Sequence, residues 1–469
     1  MDMKQHGNSI LQRILQYKGL LLAAVLMVAV LGSCKDDDDD STPEAKNIVA
    51  LAQANSNLSS LVTALTKYPD LVSTLSGSGK YTVFAPTNAA FATLLTATGQ
   101  TSLDDLPEDV LRDVLEYHVV SGAVKSTELK TGAVETVGGE DIAVTTTGGV
   151  KLNGTTNVTT ADVEASNGVV HVIDAVLVPP SIVPVVGTIV APAFFNKNFT
   201  TLVAAVKQAG LVETLINKSA NYTLFAPTNA AFTAAGITAL PPNTTEGNAT
   251  LSGILRYHVL ASKVTAANIA AGSSSAETLN GKIYLSKGSS GVFINGATKV
   301  TTADVQASNG VVHVIDRALV PPSKTIAQIV SDAANAASGK QFTKLLQALA
   351  RTDGEDDDLL AAASGEGNLT VFAPTDAAFE ALGVDLATVD LAALTKILKH
   401  HIVAARVFSS DLSSGSVATL YKSVTIDLPN LTVTGAKTGE APAKLQATML
   451  NIHATNGVIH VIDKVLIPE

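Results

Sequence analysis

The chain has 469 residues, 46% apolar and 16% charged, which supplies cores for about three domains and excludes a mainly disordered polymer. Lys and Arg number 31 against 42 Asp and Glu, a net charge of -11 with no basic run, and this excludes a binder that works by displacing counterions from nucleic acid. One cysteine, no Trp and only 4% aromatics exclude a disulfide framework, a cysteine-based zinc site and the usual stacking platforms for sugars or bases.

The N-terminus reads as an address. Lys4, Arg13 and Lys18 precede an apolar run from Leu20 to Leu31, a length suited to a signal peptide and short for a membrane span. The run ends in Leu31-Gly32-Ser33-Cys34, so the lone cysteine sits where a bacterial lipobox requires it. The expectation is a signal peptide over 1–33, lipid on Cys34, and a membrane partner reached through that lipid. Several acyl chains on one residue anchor stably, since each buried CH₂ contributes ~0.8 kcal/mol. Asp36 to Asp40 then form an extended, solvated tether over 34–43. This run resembles the acidic export signal of surface-exposed lipoproteins, which places the protein on the outer membrane, facing the cell exterior.

The remainder is three repeats. YTVFAPTNAAF at Tyr81–Phe91 returns as YTLFAPTNAAF at Tyr222–Phe232 and LTVFAPTDAAF at Leu369–Phe379. ASNGVVHVID at Ala165–Asp174 returns unchanged at Ala307–Asp316 and as ATNGVIHVID at Ala454–Asp463. Counted on Pro86, Pro227 and Pro374, the steps are 141 and 147 residues, a domain length. Boundaries at Pro179-Pro180 and Pro321-Pro322 define domains over 44–181, 182–323 and 324–469.

Each repeat is expected to open with an amphipathic helix. Leu58, Leu61, Val62 and Leu65 recur at i, i+3, i+4 and i+7, as do Phe199, Leu202, Val203, Val206 and Phe342, Leu345, Leu346, Leu349. A short strand then runs into proline, and Thr87, Thr228 and Thr375 stand at helix N-cap positions. A second helix, with Val110, Leu111, Val114, Leu115 and His118 on one side, ends in Tyr117-His118, matched by Tyr257-His258 and by His400-His401. Histidine there can bond a free carbonyl of the last turn. Asn167-Gly168, Asn309-Gly310 and Asn456-Gly457 predict hairpin turns with positive φ. The closing strand carries His171, His313 or His460, which faces away from the following aspartate and so forms no dyad within the strand.

Six repeated histidines raise the possibility of a metal or a catalytic base. Against it, each domain repeats only two, with no His-x-x-x-His pair and no fixed carboxylate. The reading is structural hydrogen-bonding histidines, no cofactor, no metal and no catalytic residue. No phosphate loop, Gly-x-Ser-x-Gly elbow or cysteine nucleophile occurs. The acidic cluster Asp353 to Asp358 lacks the ligand alternation of a calcium loop and reads as a solvated insertion.

Together these motifs resemble the fasciclin domain: a Phe-Ala-Pro-Thr segment, a mid-domain Tyr-His pair and a terminal Asn-Gly-x-x-His-x-Ile-Asp segment, in order, three times. The resemblance implies an α+β fold, three tandem domains each a β-sandwich or wedge of about seven strands with several helices packed on one edge. It implies non-catalytic adhesion to surface proteins, matrix or polysaccharide. Some animal members use the Tyr-His region for receptor contact, which makes Tyr117, His118, Tyr257, His258, His400 and His401 candidate interaction or fold-motif positions, with His171, His313 and His460. The alternative is a periplasmic or surface lipoprotein that binds a glycan or small ligand.

Overall fold

The structure, a computed structural model, describes residues 45–354 and 357–468. The signal peptide, Cys34, the aspartate run, and Glu355 and Asp356 of the acidic insertion lie outside the described residues.

Each repeat is built on one parallel strand pair that joins its first motif to its last. Tyr81–Pro86 pairs with Gly168–Ile173, Tyr222–Pro227 with Gly310–Ile315, and Leu369–Pro374 with Gly457–Ile462. The register sets Phe84 beside His171, Phe225 beside His313 and Phe372 beside His460. The strands are apolar on both faces because both faces are covered. Val83, Ala85, Val170 and Val172 point into the helical layer, where they meet Leu61, Leu65, Phe91, Leu111 and Val114. Phe84 and Ile173 point into a second core with Tyr117, Ile142, Val144 and Leu152.

In the first domain the strands form one seven-stranded sheet. From edge to edge it runs Val119–Ser121, Tyr81–Pro86, Gly168–Ile173, Thr156–Ala165, Lys151–Leu152, Asp141–Thr145 and Gly132–Glu135. The second domain repeats this order and closes it into a barrel through Thr278 and Leu260. The third divides into two four-stranded sheets linked by a bridge between Leu445 and Ile462.

The helices follow local chemistry. Thr87, Thr228 and Thr375 accept from the backbone N–H of Ala90, Ala231 and Ala378, capping the helices that follow. Helix Glu108–Glu116 buries Val110, Leu111, Val114 and Leu115 and carries Glu108 and Asp109 at its positive end. The expected opening helix needs correction. Helices Ile48–Ala54 and Ile326–Ala334 precede it in domains one and three, capped by Asn47 and Thr325. Leu58 and Phe199 lie in single 3-10 turns ahead of helices Ser59–Leu65 and Thr200–Gln208. Phe342, at φ 64, sits just before helix Thr343–Ala350.

The first two domains share one apolar core that runs from Ile48 to Ala318. Gln100 donates to the Pro192 carbonyl across that junction, and Ser181 in the linker bonds Glu140 through its N–H and hydroxyl. The second and third domains keep separate apolar clusters and meet through rings and polar bonds. Arg406 lies over the Tyr284 ring at 4.6 Å, Ser410 bonds Ser286 at 2.8 Å, and Asn451 donates to the Gly296 carbonyl at 3.1 Å. Gly296, at φ 72, has Phe408 and Asn451 so close that a Cβ there could not be accommodated.

Candidate functional site

The nine repeated His and Tyr positions lie inside the protein. Tyr117, His118, His171, Tyr257, His258, His313, His400, His401 and His460 are each no more than 2% exposed. Each of them is hydrogen-bonded within its own domain.

His118, His258 and His401 end their helices. Nδ1–H donates to the carbonyl four residues back, Val114 at 2.6 Å, Ile254 at 2.9 Å and Ile397 at 2.8 Å. Nε2 accepts from the N–H of Leu177, Leu319 and Leu466 at 2.8–2.9 Å. The ring thus rivets the helix end to the segment after the closing strand. That pair of bonds requires the neutral ring, and burial pushes all three down to about 4.

Tyr117 and Tyr257 donate to the carbonyls of Asp141 and Lys282 and accept from Asn153 and Asn295. His400 takes the tyrosine's place in the third domain. It bonds the Tyr421 carbonyl through Nδ1 at 2.6 Å and accepts from Ala436 through Nε2. The substitution conserves a donor toward one hairpin and an acceptor beside it.

His171, His313 and His460 use the opposite tautomer. Nδ1 accepts from the N–H of Asp162, Asp304 and Asn451, and Nε2–H donates to Val124, Val264 and Val407. The rings pack on Phe84, Phe225 and Phe372 with centroids 5.5–5.9 Å apart. Asp162, Asp304 and Asn451 sit in left-handed backbone at φ 56, 62 and 59, and in the first two domains this lies at a bulge in the strand. With both nitrogens of each ring engaged by backbone, metal ligation would break hydrogen bonds already made. Among the described residues no three His, Cys, Asp or Glu side chains cluster as a metal site would need.

The Asn-Gly turns hold a device that sequence reasoning missed. Asn167 is buried, accepts from Ile48 N–H at 2.9 Å, and donates to the carbonyls of Leu75 and Gly77. Asn309 clamps Ile189, Leu215 and Asn217, and Asn456 clamps Ile326, Ala363 and Gly365 in the same way. The expected turn with both residues at positive φ is therefore corrected. Gly168 (φ 156) and Gly310 (φ 152) carry it, and Asn167 and Asn309 do not. A Cβ at Gly168, Gly310 or Gly457 would collide with the carbonyl oxygen of Tyr81, Tyr222 or Leu369.

In the acidic insertion, Asp358 caps helix Leu359–Ser364 and Asp357 pairs with Lys399 at 2.6 Å. No single helix among the described residues is long and apolar enough to cross a membrane.

The fasciclin domain matches residues 56–179, 197–321 and 340–468. The chain belongs to the fasciclin family. Among curated relatives, transforming growth factor-beta-induced protein ig-h3 of Sus scrofa is 33% identical over 84% of this chain and 54% of its own length. Human periostin is 28% identical over 85% of this chain and 45% of its own length. The chain thus spans about half the length of these animal fasciclin proteins. Protein sll1483 of Synechocystis is 45% identical over 30% of this chain and 77% of its own length. A solved fasciclin domain pair from the insect cell adhesion molecule fasciclin I covers 57% of this chain at 19% identity, with a TM-score of 0.27.

Proposed function

We propose that this protein is a lipid-anchored, extracytoplasmic adhesion protein whose three fasciclin domains bind surface proteins, matrix or polysaccharide without catalysis. The observation that carries the reading is the internal use of the six repeated His and of Tyr117, Tyr257 and His400 beside them. The shared motifs build scaffolds, and they leave recognition to the surfaces that differ between repeats. Tandem scaffolds suit binding, because linked weak sites gain avidity through effective concentration. The anchor rests on Cys34 and the export on Asp36–Asp40.

Protease shaving of intact cells tests the placement, with Cys34→Ala and an Asp36–Asp40 alanine variant beside the native chain. Clipping of the native chain and protection of the aspartate variant supports surface adhesion. Protection of the native chain until the outer membrane is opened moves the binding role into the periplasm. Attachment assays on a deletion strain test adhesion itself, and unchanged attachment across varied surfaces counts against it.

A further inference from the structure

An asparagine followed by glycine can react with its own backbone, because no Cβ shields the glycine nitrogen from the side-chain Cγ. The chain has six such pairs, beginning at Asn153, Asn167, Asn280, Asn295, Asn309 and Asn456.

Five of the six are locked. Asn167, Asn309 and Asn456 are buried and each holds three backbone groups. Their glycines are closed in so tightly that a Cβ would strike a carbonyl oxygen. Asn153 and Asn295 stand in left-handed backbone at φ 49 and 48. Each accepts from a strand N–H, that of Ala143 or Tyr284 at 3.0 Å, and donates to the hydroxyl of Tyr117 or Tyr257. In all five, both the oxygen and the nitrogen of the amide are held.

Asn280 differs. It is exposed at the turn that joins strand Gly272–Thr278 to strand Gly281–Gly288, and the space around Gly281 is open. Its Nδ2 donates to the Gly253 carbonyl at 2.8 Å, and its Oδ1 accepts from no described residue. A single side-chain bond therefore restrains it. The N–H groups of Val137, Leu279 and Leu420 bond the carbonyls of Val119, Val259 and Ile402, which makes the turns of the three domains equivalent here. The other two turns, with Val137-Gly138-Gly139 and Leu420-Tyr421, carry no asparagine.

We propose that Asn280 is a site of spontaneous deamidation, and that the reaction detaches this hairpin turn from helix Thr245–Arg256. The Gly281 nitrogen bonds to Cγ of Asn280 as the Cγ–Nδ2 bond breaks. Nδ2 leaves as ammonia with the proton of the Gly281 N–H, and a five-membered succinimide remains. Water opens that ring at either carbonyl, to aspartate or to isoaspartate. The new carboxylate cannot donate to the Gly253 carbonyl, and it stands at the negative end of the helix that leads into Tyr257-His258. Isoaspartate also adds a main-chain carbon to a two-residue turn, whose register sets Thr278 opposite Gly281. The modification goes beyond adhesion and is independent of where the protein is anchored.

The test is peptide mapping by mass spectrometry of the purified chain, held at pH 7.5 and body temperature beside a urea-unfolded sample. In the folded chain Asn280 should convert first, with the other five slower by about tenfold or more because each must open locally to react. In urea all six should convert at similar rates. Hydrogen exchange in Gly281–Gly288 should rise several-fold once Asn280 has converted, and Asn280→Asp should show the same rise from the start. The proposal is overturned if Asn280 stays intact while the unfolded sample converts. It is equally overturned if a locked asparagine of the folded chain keeps pace with Asn280, or if hairpin exchange is unchanged both after conversion and in Asn280→Asp.

Discussion

At the residue scale the helix-end histidines are the sharpest test of the structure. His258→Ala leaves the Leu319 N–H buried without an acceptor and opens a void. We expect a loss of about 2–4 kcal/mol, read from the denaturant midpoint. His118, His258 and His401 also set an acid limit. Their ordinary value is 6.5 and the fold holds them near 4, so between those values the unfolded chain binds more protons. Their contribution is therefore complete above about pH 6.5, falls as pH drops toward 4, and levels off below, on the order of 3 kcal/mol per ring. Denaturant midpoints from pH 7.5 to 4 should fall across this window. A flat profile would contradict the neutral, doubly bonded rings. Replacing all three with Asn should make the profile shallower on a lower baseline, with the remaining slope from His400, His453 and His460, which burial also holds down.

At the element scale each Asn-Gly turn couples the closing strand to two helical segments. Asn167→Ala should cost about 2–4 kcal/mol, since three backbone groups lose their partner. It should also raise hydrogen exchange at Ile48 and in helix Pro69–Ser76 before the strand Tyr81–Pro86 is affected. Equal exposure of strand and helices would mean that the asparagine serves the turn alone. These contacts mark what the sequence could reveal. Thr87 was legible as a cap because its partner, Ala90, lies three residues away. The neutral role of His118 was half legible: Val114 is one turn back, but Leu177 comes from the far end of the domain. Asn167 was misread because Leu75 and Gly77 lie about ninety residues off, and an Asn-Gly pair explains itself locally as a turn. Helix Ile48–Ala54 was missed because it is short and its stripe of Ile48, Val49 and Ala52 is weak. The parallel pairing itself was hidden, since periodicity reveals a strand but not its neighbour.

At the scale of the whole molecule the two domain junctions differ in kind. The first joins domains through a continuous apolar core, the second through Arg406, Tyr284, Phe408 and a few polar bonds. Arg406 also donates to the carbonyls of Ala454, Thr455 and Gly457, so its guanidinium is fixed before it meets Tyr284. Tyr284→Ala should therefore release the third domain first. Limited proteolysis should cut between 316 and 326 faster, with little change near 181, and small-angle scattering should report a larger radius of gyration. Equal cleavage at both junctions would deny the asymmetry. His453, beside the same arginine and pushed down to about 3 by burial and then by that charge, stays uncharged until strongly acid pH and so adds no second positive charge beside Arg406. The parallel strand pair, finally, bears on how the protein is made. Its partners are the first strand of a domain and the last, so no domain can complete its central ladder until nearly its whole length has emerged from the ribosome. Such non-local pairing folds slowly. Each repeat therefore passes through a stage in which its first strand has an open edge, and this happens three times along the chain.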